Sequence, residues 1–92
     1  MGERSRSPQA QQARAHVAGN LHRLRVRRGL TQAQLAERLG IEVRHLQFIE
    51  AAESAPGFDL LVDLAAELEV AVGDLFEEAE TPARRRGRPP KA

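Results

Sequence analysis

The stretch TQAQLAERLGIEVRHLQFIE, from Thr31 to Glu50, contains the signals that begin and end two short helices. Thr31 is a good N-cap because its hydroxyl can accept a hydrogen bond from an amide of the first turn, and Gln34 completes a capping box with it. An apolar stripe follows, and Gly40 then stands where a helix needs a residue that tolerates positive φ. These residues predict a helix that begins after Thr31 and ends at Gly40.

A second helix over about residues 42–51 is predicted to have one buried and one outward face. Leu46 and Ile49 lie on the face that enters the core. The opposite face carries Val43, Arg44, Gln47 and Phe48. Apolar and polar residues do not alternate with period two across residues 31–50, which excludes a strand. The stretch therefore predicts two helices joined by a tight turn, the second of which presents a surface for recognition.

The rest of the chain adds helices to this unit. Apolar residues recur at helical spacing over residues 17–28, 58–68 and 72–78, whereas residues 51–57 lack this spacing, contain Pro and Gly, and read as a loop. The prediction is an all-α domain of five helices over residues 17–78.

Polar, Pro-containing segments lie on both sides of this domain. Residues 1–16 are rich in Gln, Arg and Ser and are predicted to form a flexible basic arm that can gain helix over residues 10–15. Residues 79–92 are rich in Arg, Pro and Gly, have no means of burying a core, and are predicted to form a disordered basic tail.

Charge is strongly segregated along the chain, although the formal net charge is only +1. Residues 1–16 carry +2 and residues 17–50 carry +3, residues 51–78 carry −8 without any Lys or Arg, and residues 79–92 carry +4. A polyanion would meet the basic half and the tails, and the acidic segment would be turned away from it.

Composition narrows the possible functions. With 92 residues and 41% hydrophobic content, the chain has room for one small domain. It has no Cys, no Gly-rich phosphate loop and no credible pair of nucleophile and base, so we predict neither an enzyme nor a cofactor. His16, His22 and His45 lack a helical metal-binding spacing, so no metal site is predicted. Without a signal-peptide pattern or a long apolar span, we expect a cytoplasmic, nucleoid-associated protein and no membrane contact.

From Leu21 to Phe76 the sequence resembles the Cro and phage-repressor family of helix-turn-helix domains, often called XRE-like. The resemblance rests on LHRLRVRRGLTQAQLAERLGI, then IE, then P-x-F-D-x-L-x-x-LA-x-x-L-x-V, then V-x-D-L-F. It implies a compact five-helix, lambda-repressor-like domain that binds duplex DNA sequence-specifically, usually as a homodimer reading two half-sites about one helical turn apart.

The resemblance also assigns roles to individual residues. It implies that Gln32 contacts a phosphate with its side chain or with the helix N-terminus behind it, and that Val43, Arg44, Gln47 and Phe48 touch bases and nearby backbone. Arg44 can make a bidentate contact to guanine, and Val43 or Phe48 can pack on a thymine methyl group. Phe48 can alternatively form a dimer contact or contact a partner protein.

Arg25 and Glu50 match a family pair that forms a structural salt bridge between the first and third helices. The sequence departs from the family at Glu42, where a Ser or Thr cap is usual, and at Glu67 and Glu69, where small residues are common. Residues 31–50 contain only two Arg against three Glu, so we expect the first helix and the tail to supply much of the electrostatic grip on DNA.

The tail resembles an AT-hook, whose core matches Arg86, Gly87, Arg88 and Pro89. Gly lets the backbone lie flat in a narrow minor groove, Pro keeps it extended, and the Arg side chains follow the negative potential of A·T-rich grooves. The segment between the last helix and this core spans at most about 25–30 Å, enough to reach the same duplex.

Two questions stay open at this point. Val72, Leu75 and Phe76 can close the core or form a symmetric dimer contact, and we expect them to do both. The acidic face over residues 53–78 can be solvated, or it can bind a protein partner, as in an antitoxin-like or adaptor module in which DNA binding is secondary.

Overall fold

A computed structural model of the chain describes residues 7–78, which fold into four α-helices and a closing 3-10 helix. The elements are α1 (Pro8–Arg27), α2 (Gln32–Leu39), α3 (Val43–Glu50), α4 (Phe58–Leu68) and the 3-10 helix (Val72–Phe76). Residues 7–78 contain no strand, in agreement with the all-α prediction.

The prediction of a fifth α-helix over residues 72–78 is wrong. Val72–Phe76 form a single 3-10 helix, in which the amide of Asp74 donates to the carbonyl of Ala71 at 2.9 Å. The side chain of Asp74 accepts from the amide of Ala71 at 3.0 Å and so caps the start of the turn. A β-branched Val followed by Gly disfavours an α-helix, and five residues are too few to propagate one.

The prediction of a flexible arm over residues 1–16 is wrong for residues 8–16, because these form the first turns of α1, which include the helix that the prediction allowed over residues 10–15. Ser7 caps the helix, with its hydroxyl accepting from the amide of Ala10 at 3.0 Å, and Pro8 occupies the start of the helix, where its missing amide costs nothing. Residues 1–6 and the predicted tail over residues 79–92, with the AT-hook-like core, lie outside the described residues.

Local signals around α2 act as predicted. The amide of Gln34 donates to the Thr31 hydroxyl at 3.0 Å, and the amide of Thr31 donates to the Gln34 side chain at 2.8 Å, which completes the capping box. Gly40 ends the helix with φ 73°, in the left-handed region. The capping box and the glycine thus set both ends of α2.

One apolar core joins all five elements. Its buried members are Val17, Leu21, Leu35, Ala36, Leu46, Ile49, Leu64, Ala65, Leu68 and Leu75. The polar side chain of Asn20 is also buried, and its amide donates to the carbonyls of Leu75 at 2.9 Å and Glu77 at 2.7 Å. These two hydrogen bonds fasten the 3-10 helix to α1, because they satisfy carbonyls that would otherwise lack partners at the helix end.

Candidate nucleic-acid interface

The outward face of α3 is exposed as the sequence predicts. Val43 and Phe48 are 39% and 44% exposed, and Arg44 and Gln47 also lie in the exposed class. Leu46 and Ile49, on the other side of the same helix, are fully buried. The helix therefore rests on its apolar face and presents two polar and two apolar side chains together.

Arg44 and Phe48 contact each other on this face. The guanidinium carbon of Arg44 lies 5.9 Å from the centroid of the Phe48 ring, at the i, i+4 spacing of neighbours on a helix. Arg44 makes no hydrogen bond or ion pair with any residue between 7 and 78. Its donors are therefore available to an outside acceptor while the ring limits where the guanidinium can lie.

The back of α3 is clamped to α1 by the Arg25–Glu50 ion pair. The Nε and Nη2 of Arg25 donate to the two carboxylate oxygens of Glu50 at 2.7 and 2.9 Å, and Nη1 donates to the carbonyl of Leu30 at 2.8 Å. The two side chains are only 10% and 4% exposed. A planar guanidinium that engages both oxygens of a carboxylate holds direction as well as distance. The pair therefore sets how α3 projects from the domain.

The charges of this pair are stabilised by each other. Burial raises the pKa of Glu50, but hydrogen bonds from Arg25, Gln32 and His22 outweigh it, so the pKa of this carboxyl lies below its usual value. The hydrogen bond to Glu50 raises the pKa of Arg25, against a smaller opposing effect of burial. Both groups therefore stay ionised at neutral pH.

Gln32 lies at the first position of α2, where the family resemblance predicts a phosphate contact. Its side-chain amide donates to Oε1 of Glu50 at 3.0 Å, and the residue is half-buried. In this arrangement the side chain links the start of α2 to the end of α3. It therefore supports the Arg25–Glu50 ion pair and does not point fully into solvent.

His22 belongs to the same cluster, although its position in the sequence indicates only that it is not a metal ligand. Its Nδ1 lies 3.2 Å from Oε1 of Glu50 and 3.2 Å from Nη2 of Arg25. A single ring nitrogen cannot donate to the carboxylate and accept from the guanidinium at once, so the protonation of Nδ1 selects one of the two contacts. The i, i+3 spacing of His22 and Arg25 on a helix is the signal that could have found this contact.

Most of the cationic side chains near the end of α1 are already engaged. Arg23 donates to the side-chain oxygen of Asn20 at 3.1 Å, and Arg28 pairs with Glu69 at 3.1 Å. The hydrogen bond between Arg28 and Glu69 raises the pKa of Arg28 and lowers the pKa of Glu69. The charge of Arg28 is thus compensated by a carboxylate, whereas Arg23 is hydrogen-bonded to a neutral amide and keeps its charge uncompensated.

The structure shows the surroundings of the three Glu residues that depart from the family pattern. Glu67 and Glu69 meet basic side chains of the same chain, Glu67 with Arg38 at 3.6 Å and Glu69 with Arg28. Glu42 precedes α3 as its N-cap but makes no side-chain capping hydrogen bond. The start of α3 consequently depends on its packing and not on a cap.

The three side chains predicted at a dimer contact differ in their surroundings. Leu75 is fully buried in the core, so it cannot form part of a surface contact. Val72 is half-buried against the core, and Phe76 is 45% exposed. The sequence pattern could not separate them because all three are apolar and lie within one short segment.

Comparison with known proteins identifies relatives of this fold. A family model described as helix-turn-helix matches residues 21–75. The crystal structure of a hypothetical transcription factor, NHTF, from Neisseria is similar with a TM-score of 0.68 at 26% sequence identity, covering 92% of this chain and 94% of that chain. No protein of curated function matches the sequence.

Two further features of residues 7–78 bear on function. No helix in this part of the chain is long and apolar enough to cross a membrane. No group of three or more His, Asp or Glu side chains is arranged there to hold a metal ion.

Proposed function

Because the chain belongs to the Cro and XRE type of helix-turn-helix family, whose members are DNA-binding regulators, we propose that it binds duplex DNA sequence-specifically with α3 in the major groove. The observation that carries this proposal is the orientation of α3. Its outward face holds Arg44, Gln47 and two apolar side chains, while the Arg25–Glu50 pair fixes its back.

Base reading in this proposal is divided between polar and apolar groups. Arg44 donates to the O6 and N7 of a guanine, a contact that discriminates against other bases by about 1–3 kcal/mol. Gln47 suits the hydrogen-bonding edge of adenine, and Val43 or Phe48 packs on a thymine methyl group. The Arg44–Phe48 contact favours this assignment because it reduces the freedom that the Arg side chain must lose on binding.

The phosphate contact proposed for Gln32 takes a modified form. Because its side chain already donates to Glu50, we assign the contact to the backbone amides at the start of α2. The side chain of Gln32 then serves to hold this helix end against α3. Phosphate contacts of this kind fix the register of α3 but carry no base specificity.

The basic tail supplies charge that the helix-turn-helix unit lacks. Residues 31–50 contain two Arg and three Glu, and the tail holds Arg84, Arg85, Arg86, Arg88 and Lys91. In the proposal, the core Arg86-Gly87-Arg88-Pro89 enters an adjacent A·T-rich minor groove. Because the tail is tethered to the helix-turn-helix domain, binding of one raises the local concentration of the other at the duplex. The overall affinity of the chain for DNA therefore increases.

A homodimer completes the proposal. Two copies would place two α3 helices about one turn of DNA apart, and Val72 and Phe76 are the accessible side chains proposed at the contact. Sedimentation of the protein over a concentration series tests this, since a monomer at all concentrations would contradict it.

A titration of duplex DNA at several salt concentrations tests the DNA-binding proposal. The Arg86→Ala/Arg88→Ala variant is expected to bind more weakly, with a salt slope that is smaller by about one for each phosphate that the tail no longer neutralises. The Pro90→Ala variant, which changes the tail outside the AT-hook-like core without removing a charge, is a suitable control. Equal binding of the wild type and the tail variant at every salt concentration would contradict the role of the tail.

A second candidate function uses the acidic face over residues 53–78 to bind a protein. Phe58 is 76% exposed and Val62 is 39% exposed on α4, next to Asp59 and Asp63. Exposed apolar side chains on a segment rich in carboxylates suit a partner that is basic and apolar. Recovery of a stoichiometric protein complex that forms without DNA, and that Phe58→Ser abolishes, would favour this adaptor function.

A further inference from the structure

An apolar groove opens on the side of the domain formed by the first turns of α1. It is lined by apolar side chains from α1, the loop after α3, α4 and the 3-10 helix, among them Ala13, Val17, Pro56, Leu61 and Phe76. Its volume is about 280 Å³. None of the lining residues belongs to α2 or α3, so the groove is separate from the proposed DNA-reading face.

Among residues 7–78, Arg14 is the only charged residue that lines this groove. Its Nε is buried and has no hydrogen-bond partner, and its side chain makes no ion pair with any residue from 7 to 78. By contrast, Arg25, Arg28 and Arg38 are each paired with a carboxylate. A buried donor without an acceptor is costly, and a guanidinium is best satisfied by a carboxylate.

We propose that this groove binds a small monocarboxylate with a compact apolar body, whose carboxylate pairs with Arg14. An apolar cavity of about 150 Å³ holds a benzene-sized molecule, so this groove suits a ligand of roughly ten to twelve non-hydrogen atoms in total. Apolar walls with one fixed polar group are the usual make-up of a small-molecule site. The inference does not depend on the proposed DNA binding, and of the groove residues only Phe76 also belongs to the proposed dimer contact.

Titration of the full chain with octanoate, followed by amide chemical shifts, tests the proposal. Octanoate is expected to shift the amide resonances of Ala13, Ala55 and Phe76 and to bind at least tenfold more tightly than the uncharged 1-octanol. Arg14→Gln is expected to weaken octanoate binding at least tenfold, while Arg27→Gln, also on α1, leaves it unchanged.

A second variant fills the groove without touching the charge. Ala13→Leu is expected to abolish binding of both probes, and an unchanged amide spectrum outside the groove shows that the variant is folded. Equal affinities for octanoate and octanol, or full affinity in Arg14→Gln, would overturn the proposal. So would octanoate binding that only reports the breakdown of a dimer, since the groove would then hold a second copy of the chain.

Discussion

The carboxylate of Glu50, at the end of α3, receives two hydrogen bonds from the guanidinium of Arg25 on α1, at 2.7 and 2.9 Å. The pair connects residues 25 positions apart in the sequence and lies behind the proposed recognition surface. It links the stability of the domain to the direction in which α3 projects.

Removal of Arg25 should destabilise the domain strongly. Arg25→Ala leaves the nearly buried carboxylate of Glu50 without its main partner, and removal of one member of such a pair costs about 3–5 kcal/mol. Urea unfolding measures this change in the free energy of unfolding. Arg28→Ala, which breaks the exposed pair with Glu69, should change stability little. Equal destabilisation in the two variants would contradict the proposed contribution of the Arg25–Glu50 ion pair to stability.

The Arg25–Glu50 ion pair should also make the free energy of unfolding decrease at acidic pH. The pKa of Glu50 is lower in the folded chain than its usual value of about 4.3, so below that pH the unfolded chain binds more protons than the folded one. Stability contributed by Glu50 is therefore present above about pH 4.3 and is lost as pH falls through the lowered folded pKa.

Comparison with Glu50→Gln isolates this contribution from those of the other acids. Urea unfolding between about pH 5 and 2 should show a steeper decrease of stability in the wild type than in the variant. Parallel curves would mean that Glu50 titrates alike in the folded and unfolded chain.

Asn20 should be required for docking of the 3-10 helix. Asn20→Ala removes two hydrogen bonds to the carbonyls of Leu75 and Glu77, and unfolding should become easier by about 1–3 kcal/mol. Asn20→Asp keeps the size of the side chain but cannot donate when ionised, so it should be at least as damaging. Rapid amide exchange at Leu75 in both variants, with protection retained at Leu46, would locate the damage; unchanged exchange at Leu75 would contradict the assignment.

Gly40 should resist substitution for conformational and not steric reasons. A Cβ at this position would meet nothing within 4 Å, but φ is 73°, where a residue with a side chain costs about 1–2 kcal/mol. Gly40→Ala should therefore lower the free energy of unfolding by this amount. Gly57 has equal space and a negative φ of −70°, so Gly57→Ala should cost clearly less, and the opposite order would contradict this explanation.

Local sequence signals predict much of this structure. Thr31 with Gln34, and Gly40, fix the ends of α2 through contacts within a few residues, and such contacts can be read from one sequence. The start of α1 is also readable in Ser7-Pro8, but the polar composition of residues 1–16 favours a flexible arm instead. The 3-10 helix escapes prediction because a pattern of apolar residues in so short a segment does not separate it from one α-helical turn.

Contacts between distant residues cannot be predicted in this way. Asn20 and Leu75 are 55 residues apart, and nothing in a single sequence indicates that the amide of one meets the carbonyl of the other. The same holds for Gln32, whose position at a helix start suggests a phosphate contact and whose side chain turns to Glu50. The Arg25–Glu50 pair is predictable only through the family resemblance.

The central claim is that α3 reads bases through Arg44, and selection of bound sites from random duplexes tests it most directly. The wild type should select a motif with an invariant guanine, and Arg44→Ala should lose preference at that one position by roughly 5- to 150-fold, with the rest of the motif retained. Arg27→Ala, which removes the same charge from α1, should select the wild-type motif. An identical motif for Arg44→Ala and the wild type would contradict the claim.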